Sequence, residues 1–233
     1  RECADEFSTD VKPRFLLGDV GPTNKTASMS PDVNDPAMRD ITYDELFDAY
    51  REQVRGLLDG GVDAILVETI FAPLNCKAAI DAAQTERQAR TADCPIMLSV
   101  TVSDMAGRTL SGQTLEAFLS TISSYDIFSV GLNCGFGAKE MKPCLQQLSS
   151  RAPQFVSAHP NAGLPNELGR YDETAESMSP AISDIIDSGM VNISGGCCGT
   201  DETFIASYSK LVEGNTPRQP RPRYRQLHLA GLE

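Results

Sequence analysis

The chain has 233 residues, of which 41 % are hydrophobic and 22 % are charged, and its formal net charge is −12. This composition is typical of a soluble globular protein with one large core. The acidic charge argues against binding to nucleic acid or to an anionic membrane surface. No apolar stretch approaches the roughly 20 residues that a membrane span requires.

Strand-like and helix-like segments alternate along the chain, which begins inside a helix-like segment. Short apolar runs predict strands at 15–20, 64–67, 96–102, 127–132, 154–158 and 191–193. Helical periodicity predicts helices at 42–58, 74–88, 115–123, 139–149, 174–188 and 201–213. The first long helix begins at a capping box formed by Thr42 and Glu45, and Gly60 and Gly61 end it. Six strand–helix repeats indicate a parallel sheet covered by helices.

Conspicuous polar groups follow nearly every predicted strand, which favours a closed barrel over an open sheet. In a barrel, the carboxyl ends of all strands converge on one face, where active sites lie. No GxGxxG motif supports a dinucleotide site. The predicted fold class is therefore α/β, a (β/α)8 TIM-type barrel. Since such a barrel needs eight strands and about 250 residues, we expect it to be truncated at the N-terminus to about six βα units.

Three cysteines lie just after predicted strands and are surrounded by glycine. Cys134 is in the segment 131–135, and Cys197 and Cys198 are in the segment 195–199. Three thiolates delivered from strand ends are typical of a zinc ion with an exchangeable fourth position, the catalytic arrangement. Core burial and a disulfide are the alternatives, although glycine neighbours and an odd number of cysteines argue against both. Three other cysteines are interpreted as ordinary core residues: Cys76, Cys94 and Cys144.

Longer motifs at these positions carry a specific resemblance over residues 14–215. The chain resembles the homocysteine-binding domains of cobalamin-dependent methionine synthases, which belong to the zinc-dependent homocysteine S-methyltransferase family. The motifs that carry the resemblance are GPTNKTAS (21–28), SPDVNDP (30–36), VET (67–69), GRTLSGQ (107–113), GLNC (131–134), AHPNAGLPN (158–166) and GGCCGT (195–200). The first two strands of the family's barrel are absent.

The resemblance implies a mechanism. Cys134, Cys197 and Cys198 would hold zinc, homocysteine would bind as a thiolate, and that thiolate would accept a methyl group from methylcobalamin to give methionine. Glu68 would accept hydrogen bonds from the substrate ammonium, and Asn161 would be the fourth zinc ligand when substrate is absent. No cobalamin signature is visible, so methylcobalamin must be presented by another domain. The implied partners are homocysteine and the folate- and cobalamin-binding domains of a parent protein.

The two remaining expectations concern domain organisation and location. Residues 1–215 are predicted to form the homocysteine-binding barrel domain, and the Pro- and Arg-rich segment 216–233 to be a linker toward a following domain. Cysteine usage favours a reducing, cytoplasmic location.

Two alternative functions stay open. One is a homocysteine methyltransferase that uses a small-molecule methyl donor without cobalamin, and the other is an inactive barrel fragment with a structural zinc or reduced thiols. Because part of the pocket belongs to the two absent strands, we expect the isolated chain to be a poor enzyme. Restoring about 100 upstream residues should raise its activity and its melting temperature.

Overall fold

The computed structural model describes residues 1–223 and 229–233. The strands are β1 (Leu17–Val20), β2 (Ala64–Ile70), β3 (Ile96–Val100), β4 (Ser129–Gly137), β5 (Phe155–Asn161) and β6 (Ile193–Ser194). The helices are α1 (Glu2–Glu6), α2 (Tyr43–Asp59), α3 (Pro73–Ala89), α4 (Leu115–Thr121), α5 (Ala138–Arg151), α6 (Ala175–Asp187) and α7 (Glu202–Leu211).

The six strands form one parallel sheet in which spatial order equals chain order, from β1 to β6. The register is illustrated by the pairs Leu17–Ala64 and Ser129–Phe155. Neighbouring strands joined by a helix, without a change of winding direction, are the arrangement of a TIM-type barrel. The predicted fold class is therefore confirmed as α/β with six βα units of that type. Among the described residues, no helix combines the length and apolar character that crossing a bilayer requires.

All six strands differ from their predictions by one or more residues at one or both ends, and β4 and β6 show why. β4 continues past the predicted end at residue 132 to Gly137, since a register shift lets it keep pairing with β5. β6 is only two residues long, and just before it Asn192 keeps its backbone N–H bond to β5 but uses its side-chain oxygen as the acceptor. Its Oδ1 accepts a hydrogen bond from the Val156 backbone N–H at 3.0 Å, and its own N–H donates to the Val156 carbonyl at 2.8 Å.

The chain divides into two compact units, and the first consists of residues 1–98 and 126–128. In this unit α2 begins at the predicted capping box, where the Glu45 N–H donates to Thr42 Oγ1 and the Thr42 N–H donates to the Glu45 carboxylate. Helical spacing predicts one apolar face of Leu46, Tyr50, Val54 and Leu57, and the first three are buried whereas Leu57 is half-buried. The structure therefore contains the predicted helix and most of its predicted buried face.

A buried carboxylate joins α2 to α3 in the first unit. Glu86 of α3 has a side chain only 3 % exposed, and it accepts hydrogen bonds from Arg51 at 2.6 Å, from Arg55 at 2.9 Å and from Arg90. The guanidinium groups of Arg55 and Arg51 do most to lower the pKa of this carboxyl to about 2, from an ordinary value of 4.5. Ionised Glu86 thus stabilises the contact between the two helices.

Glu86→Gln is expected to lower the free energy of unfolding by about 2 kcal/mol at pH 7, because it removes the charge attraction between this carboxylate and the arginines. The effect is smaller than the pKa shift alone would indicate, since solvent screens the partly exposed arginines. The folded-state pKa lies below the unfolded one, so this contribution is complete above pH 4.5 and is lost as the pH falls toward 2. Urea unfolding at several pH values measures it. A difference between wild type and Glu86→Gln that stayed constant from pH 7 to pH 2.5 would contradict the assignment.

The second unit comprises residues 99–125 and the described part of 129–233, and it holds all three glycine-flanked cysteines. β4 and β5 approach closely at Gly131, where a Cβ atom would lie 2.0 Å from Ser157 Oγ. Cys144 is fully buried in this unit, and Cys76 and Cys94 are buried in the first unit, as predicted.

The start of the predicted linker 216–233 is packed against the second unit. Arg218 is only 5 % exposed, and its guanidinium donates to the carbonyl oxygens of Ser149, Ala152 and Gln154 at the end of α5. Residues 224–228 of that segment lie outside the described residues. The domain boundary at residue 215 and the linker itself stay predictions.

Candidate metal centre

The structure brings the three predicted cysteines together in the second unit. The Sγ atoms of Cys134 and Cys198 are 3.7 Å apart, and those of Cys197 and Cys198 are 4.0 Å apart. All three sulfurs lie within 4.8 Å of one another. Tetrahedral ligands about 2.3 Å from one metal ion would be separated by nearly these distances. No other group of this kind occurs among the His, Cys, Asp and Glu side chains of residues 1–223 and 229–233.

Cys134 reaches the cluster through a local distortion of β4. Its φ angle is +58° and that of Gly135 is +70°, at the register shift between Asn133 and Gly137. A positive φ is uncommon for a residue with a side chain, and such strained positions concentrate at functional sites. Gly135 is required here, because a Cβ atom on it would lie 2.8 Å from the Val102 carbonyl oxygen. The bulge therefore turns the thiol of Cys134 toward the other two.

The cysteine pair lies in a loop after β6 that is bound to the end of β5. The Cys197 N–H donates to the Pro160 carbonyl at 3.0 Å, and the Ala162 N–H donates to the Cys198 carbonyl at 2.9 Å. The Cys198 N–H donates to Asn161 Oδ1 at 3.1 Å. These three bonds fix both thiols relative to β5.

Asn161 is buried and its amide oxygen already accepts the Cys198 N–H. This contact positions the cysteine loop, a role that we did not predict for it. An amide oxygen has two acceptor sites, so the predicted role as a fourth metal ligand stays a prediction.

The environment of the cluster disfavours three uncompensated thiolates. The pKa of Cys197 is raised to about 12, mainly by burial and also by the charges of Cys134 and Cys198. Asn133 opposes this effect, since its Nδ2–H donates to Cys197 Sγ at 3.9 Å. A divalent cation would supply the missing positive charge, and an all-thiolate donor set suits zinc. The residues present therefore fit a zinc ion with an open fourth position.

Two residues near the cluster were missed by the sequence analysis. Asn133 precedes Cys134 and donates to Cys197, and Tyr171 lies beside Cys198 and Gly199. The motif Asn133–Cys134 marked the first position, but no sequence signal marked Tyr171.

His159 packs against Gly195, where a Cβ atom would lie 2.5 Å from its ring, and burial lowers the pKa of His159.

Glu68 belongs to the first unit and lies within β2, two residues before its end. Its side chain is half-buried, and burial raises the pKa of its carboxyl, with a further contribution from the charge of Asp19. Thr69, the next residue, has a φ angle of +54°. The role of Glu68 in binding a substrate ammonium stays a prediction.

The chain is similar to known proteins in family and in fold. The family profile "Homocysteine S-methyltransferase" matches residues 1–212. Among solved structures, the metallated form of the homocysteine methyltransferase MmuM from Escherichia coli is 19 % identical, with a TM-score of 0.65 over 90 % of this chain. The oxidised form gives 20 % and 0.66 over 90 %, and the apo form 18 % and 0.63 over 85 %.

The chain spans 63–65 % of the length of those three structures. At 18–20 % sequence identity, similarity to these structures establishes the fold alone. The family profile matches nearly the whole chain, and it establishes the family. The chain therefore belongs to the homocysteine S-methyltransferase family.

Proposed function

We propose that this chain is the homocysteine-binding part of a zinc-dependent methyltransferase that converts homocysteine to methionine. The observation that carries the proposal is the group of three thiols within 4.8 Å of one another, delivered from the bulge in β4 and from the loop after β6. Membership of the homocysteine S-methyltransferase family supports the substrate class.

In this proposal the residues have distinct roles. Cys134, Cys197 and Cys198 would hold zinc, and Asn161 would be the fourth ligand when substrate is absent. Bound zinc would supply the Lewis acidity that keeps the substrate thiol deprotonated at neutral pH. Asn161 also holds the Cys198 backbone in place, and Glu68 would orient the substrate through its ammonium group.

The methyl donor distinguishes two versions of the function. We favour methylcobalamin presented by another domain, with a folate-binding domain to recharge it, because the motifs at 21–36, 107–113 and 158–166 are longer than the general family requires. The alternative is a small donor such as S-methylmethionine. We also propose a cytoplasmic location, where reducing conditions would keep the three thiols available to metal.

Substrate binding can be tested on this chain directly. Zinc-loaded protein should bind homocysteine and release about one proton per bound ligand, because a thiol must ionise to enter the open metal position. Isothermal titration calorimetry in buffers of different ionisation enthalpy measures that proton. Homoserine, which replaces the thiol with a hydroxyl, is the matched control and should release none. Homocysteine binding that does not depend on zinc would overturn the proposal.

The methyl donor can be tested with the same protein and with a form extended by about 100 upstream residues. With methylcobalamin, methionine formation from homocysteine should be weak or absent in this chain and should rise in the extended form, which would carry the pocket residues of the first two strands. Methionine formation with S-methylmethionine but not with methylcobalamin would favour the alternative donor.

A further inference from the structure

A small cleft in the first unit is lined in part by Glu68, the carboxylate that we propose to bind the substrate ammonium. Its space for the centre of a water molecule is about 10 Å³, which is enough for roughly one water-sized group such as an ammonium. Three elements form its walls: the end of β2, the loop after β1 and the first turn of α3. Glu68 and Thr69 line it from β2, Gly21 and Pro22 from the loop, and Asn75 from α3.

The backbone beside Glu68 is strained where it forms the wall of this cleft. Thr69 has a φ angle of +54°, which is an outlier for a β-branched residue. Backbone strain of this kind persists only where the surrounding structure holds it, and it concentrates at ligand-binding and active sites. Strain next to a half-buried carboxylate therefore indicates a built site rather than an incidental gap in packing.

Asn75 joins two walls of the cleft through its side chain. It is buried, its Oδ1 accepts the Ala27 N–H at 3.1 Å, and its Nδ2 donates to the Lys25 carbonyl at 2.9 Å. The amide thus binds the backbone of the loop at two positions and uses both its acceptor and its donor to do so. These bonds attach the loop of residues 21–28 to the start of α3.

We propose that Asn75 is a positioning residue for recognition of the substrate ammonium, because it holds the loop 21–28 as a wall that keeps water from Glu68. This inference rests on the proposed function, in which Glu68 binds that ammonium. The attraction between a carboxylate and an ammonium strengthens as water is excluded, since solvent then screens the two charges less. A loop released from α3 would admit water to Glu68, and the ammonium would gain less from binding.

Asn75→Ala tests the inference, since it removes both bonds to the loop and leaves Glu68 in place. Zinc-loaded wild type and variant are titrated in a calorimeter with homocysteine and with γ-mercaptobutyrate, which keeps the thiol and the carboxylate but lacks the ammonium. We expect the dissociation constant of homocysteine to rise about 10-fold, as for a loop that is closed about one-tenth of the time. The dissociation constants of γ-mercaptobutyrate and of zinc should stay within about twofold.

Two further variants separate this role from a general effect on the fold. In a Glu68→Gln background, Asn75→Ala should weaken homocysteine binding no further, because both changes act on the same interaction. Thr85→Val is the matched control in α3. Thr85 Oγ1 donates to the Asp81 carbonyl of the same helix at 2.7 Å, and Thr85 does not line the cleft, so binding of both ligands should equal that of wild type.

Asn75→Leu keeps the test decisive if Asn75→Ala does not fold. It fills the space of the amide with a branched apolar side chain, and it should give the same selective loss of homocysteine affinity. Thermal melting of each variant measures whether the fold is retained.

Failure of the inference and failure of the proposed function give different results. Homocysteine affinity within about twofold of wild type, or an equal loss for both ligands, would overturn the role of Asn75 and leave the proposed function intact. Wild-type protein that binds both ligands equally would overturn the role of Glu68 and, with it, that of Asn75. Wild-type protein that does not bind homocysteine in a zinc-dependent manner would overturn the proposed function itself.

Discussion

Cys197→Ala is expected to abolish stoichiometric zinc binding. Wild-type protein should hold about one zinc per chain, and the variant should bind it at least two orders of magnitude more weakly. Loss of a residue that only contacts a metal ligand typically lowers metal affinity by about 10- to 100-fold. Loss of a ligand itself should lower the affinity by more. Methyl transfer to homocysteine should fall to background. Elemental analysis after gel filtration measures the metal.

Matched cysteine variants separate this effect from general damage. Cys76 is 2 % exposed and has no role in the cluster, so Cys76→Ala should keep its zinc and lose only about 1 kcal/mol of stability. Cys3 is exposed, and Cys3→Ala should change neither quantity. Zinc content in Cys197→Ala equal to that of wild type would exclude this cysteine from the site.

Arg218→Ala is expected to lower the free energy of unfolding by about 3 kcal/mol. The Arg218 side chain donates to Ser149 Oγ at 2.9 Å, to the Ser149 carbonyl at 2.8 Å and to the Gln154 carbonyl at 2.9 Å, and also to the Ala152 carbonyl. Removal of the guanidinium leaves these buried acceptors without their donor, at the negative end of the α5 dipole. Urea unfolding followed by circular dichroism measures the change, which should appear in the midpoint rather than in the slope.

Arg221 provides the control for this prediction. It lies three residues later in the same Pro- and Arg-rich segment, but its side chain is exposed. Arg221→Ala should therefore stay within about 0.5 kcal/mol of wild type. If Arg218→Ala lowered the free energy of unfolding by less than about 1 kcal/mol, water would be replacing the guanidinium without cost. Arg218 would then not hold the segment 216–233 to the second unit.

Periodicity along the chain was sufficient to predict the elements and their order. The helix at 42–58 was predicted from a capping box and from apolar residues at helical spacing, and Leu46, Tyr50 and Val54 are buried as that spacing requires. Such patterns are local, because they reflect which face of one element avoids water. In a parallel sheet, the carboxyl ends of the strands lie at one edge, so cysteines after separate strands were expected to meet.

The details of the site depend on contacts that local patterns do not encode. The positive φ of Cys134 follows from a register shift between β4 and β5. The hydrogen bond of Asn161 depends on where the loop after β6 returns, 37 residues later. No pattern near Tyr171 indicates that it packs against Gly199, because that contact is set by how two loops pack.

Arg218 shows most clearly the difference between what local sequence patterns predict and what tertiary contacts decide. Proline and arginine in 216–225 predicted a linker, since a stretch so rich in proline cannot form a helix. The guanidinium is nevertheless buried, because carbonyl oxygens 64 to 69 positions earlier in the chain converge where a helix ends. Sequence by itself determined the order of the strands and helices and pointed to the three thiols, since these depend on local periodicity and residue chemistry, and the resemblance of longer motifs pointed to the family. Only the tertiary structure decided which polar groups complete the site and hold the chain, because their partners are distant in sequence.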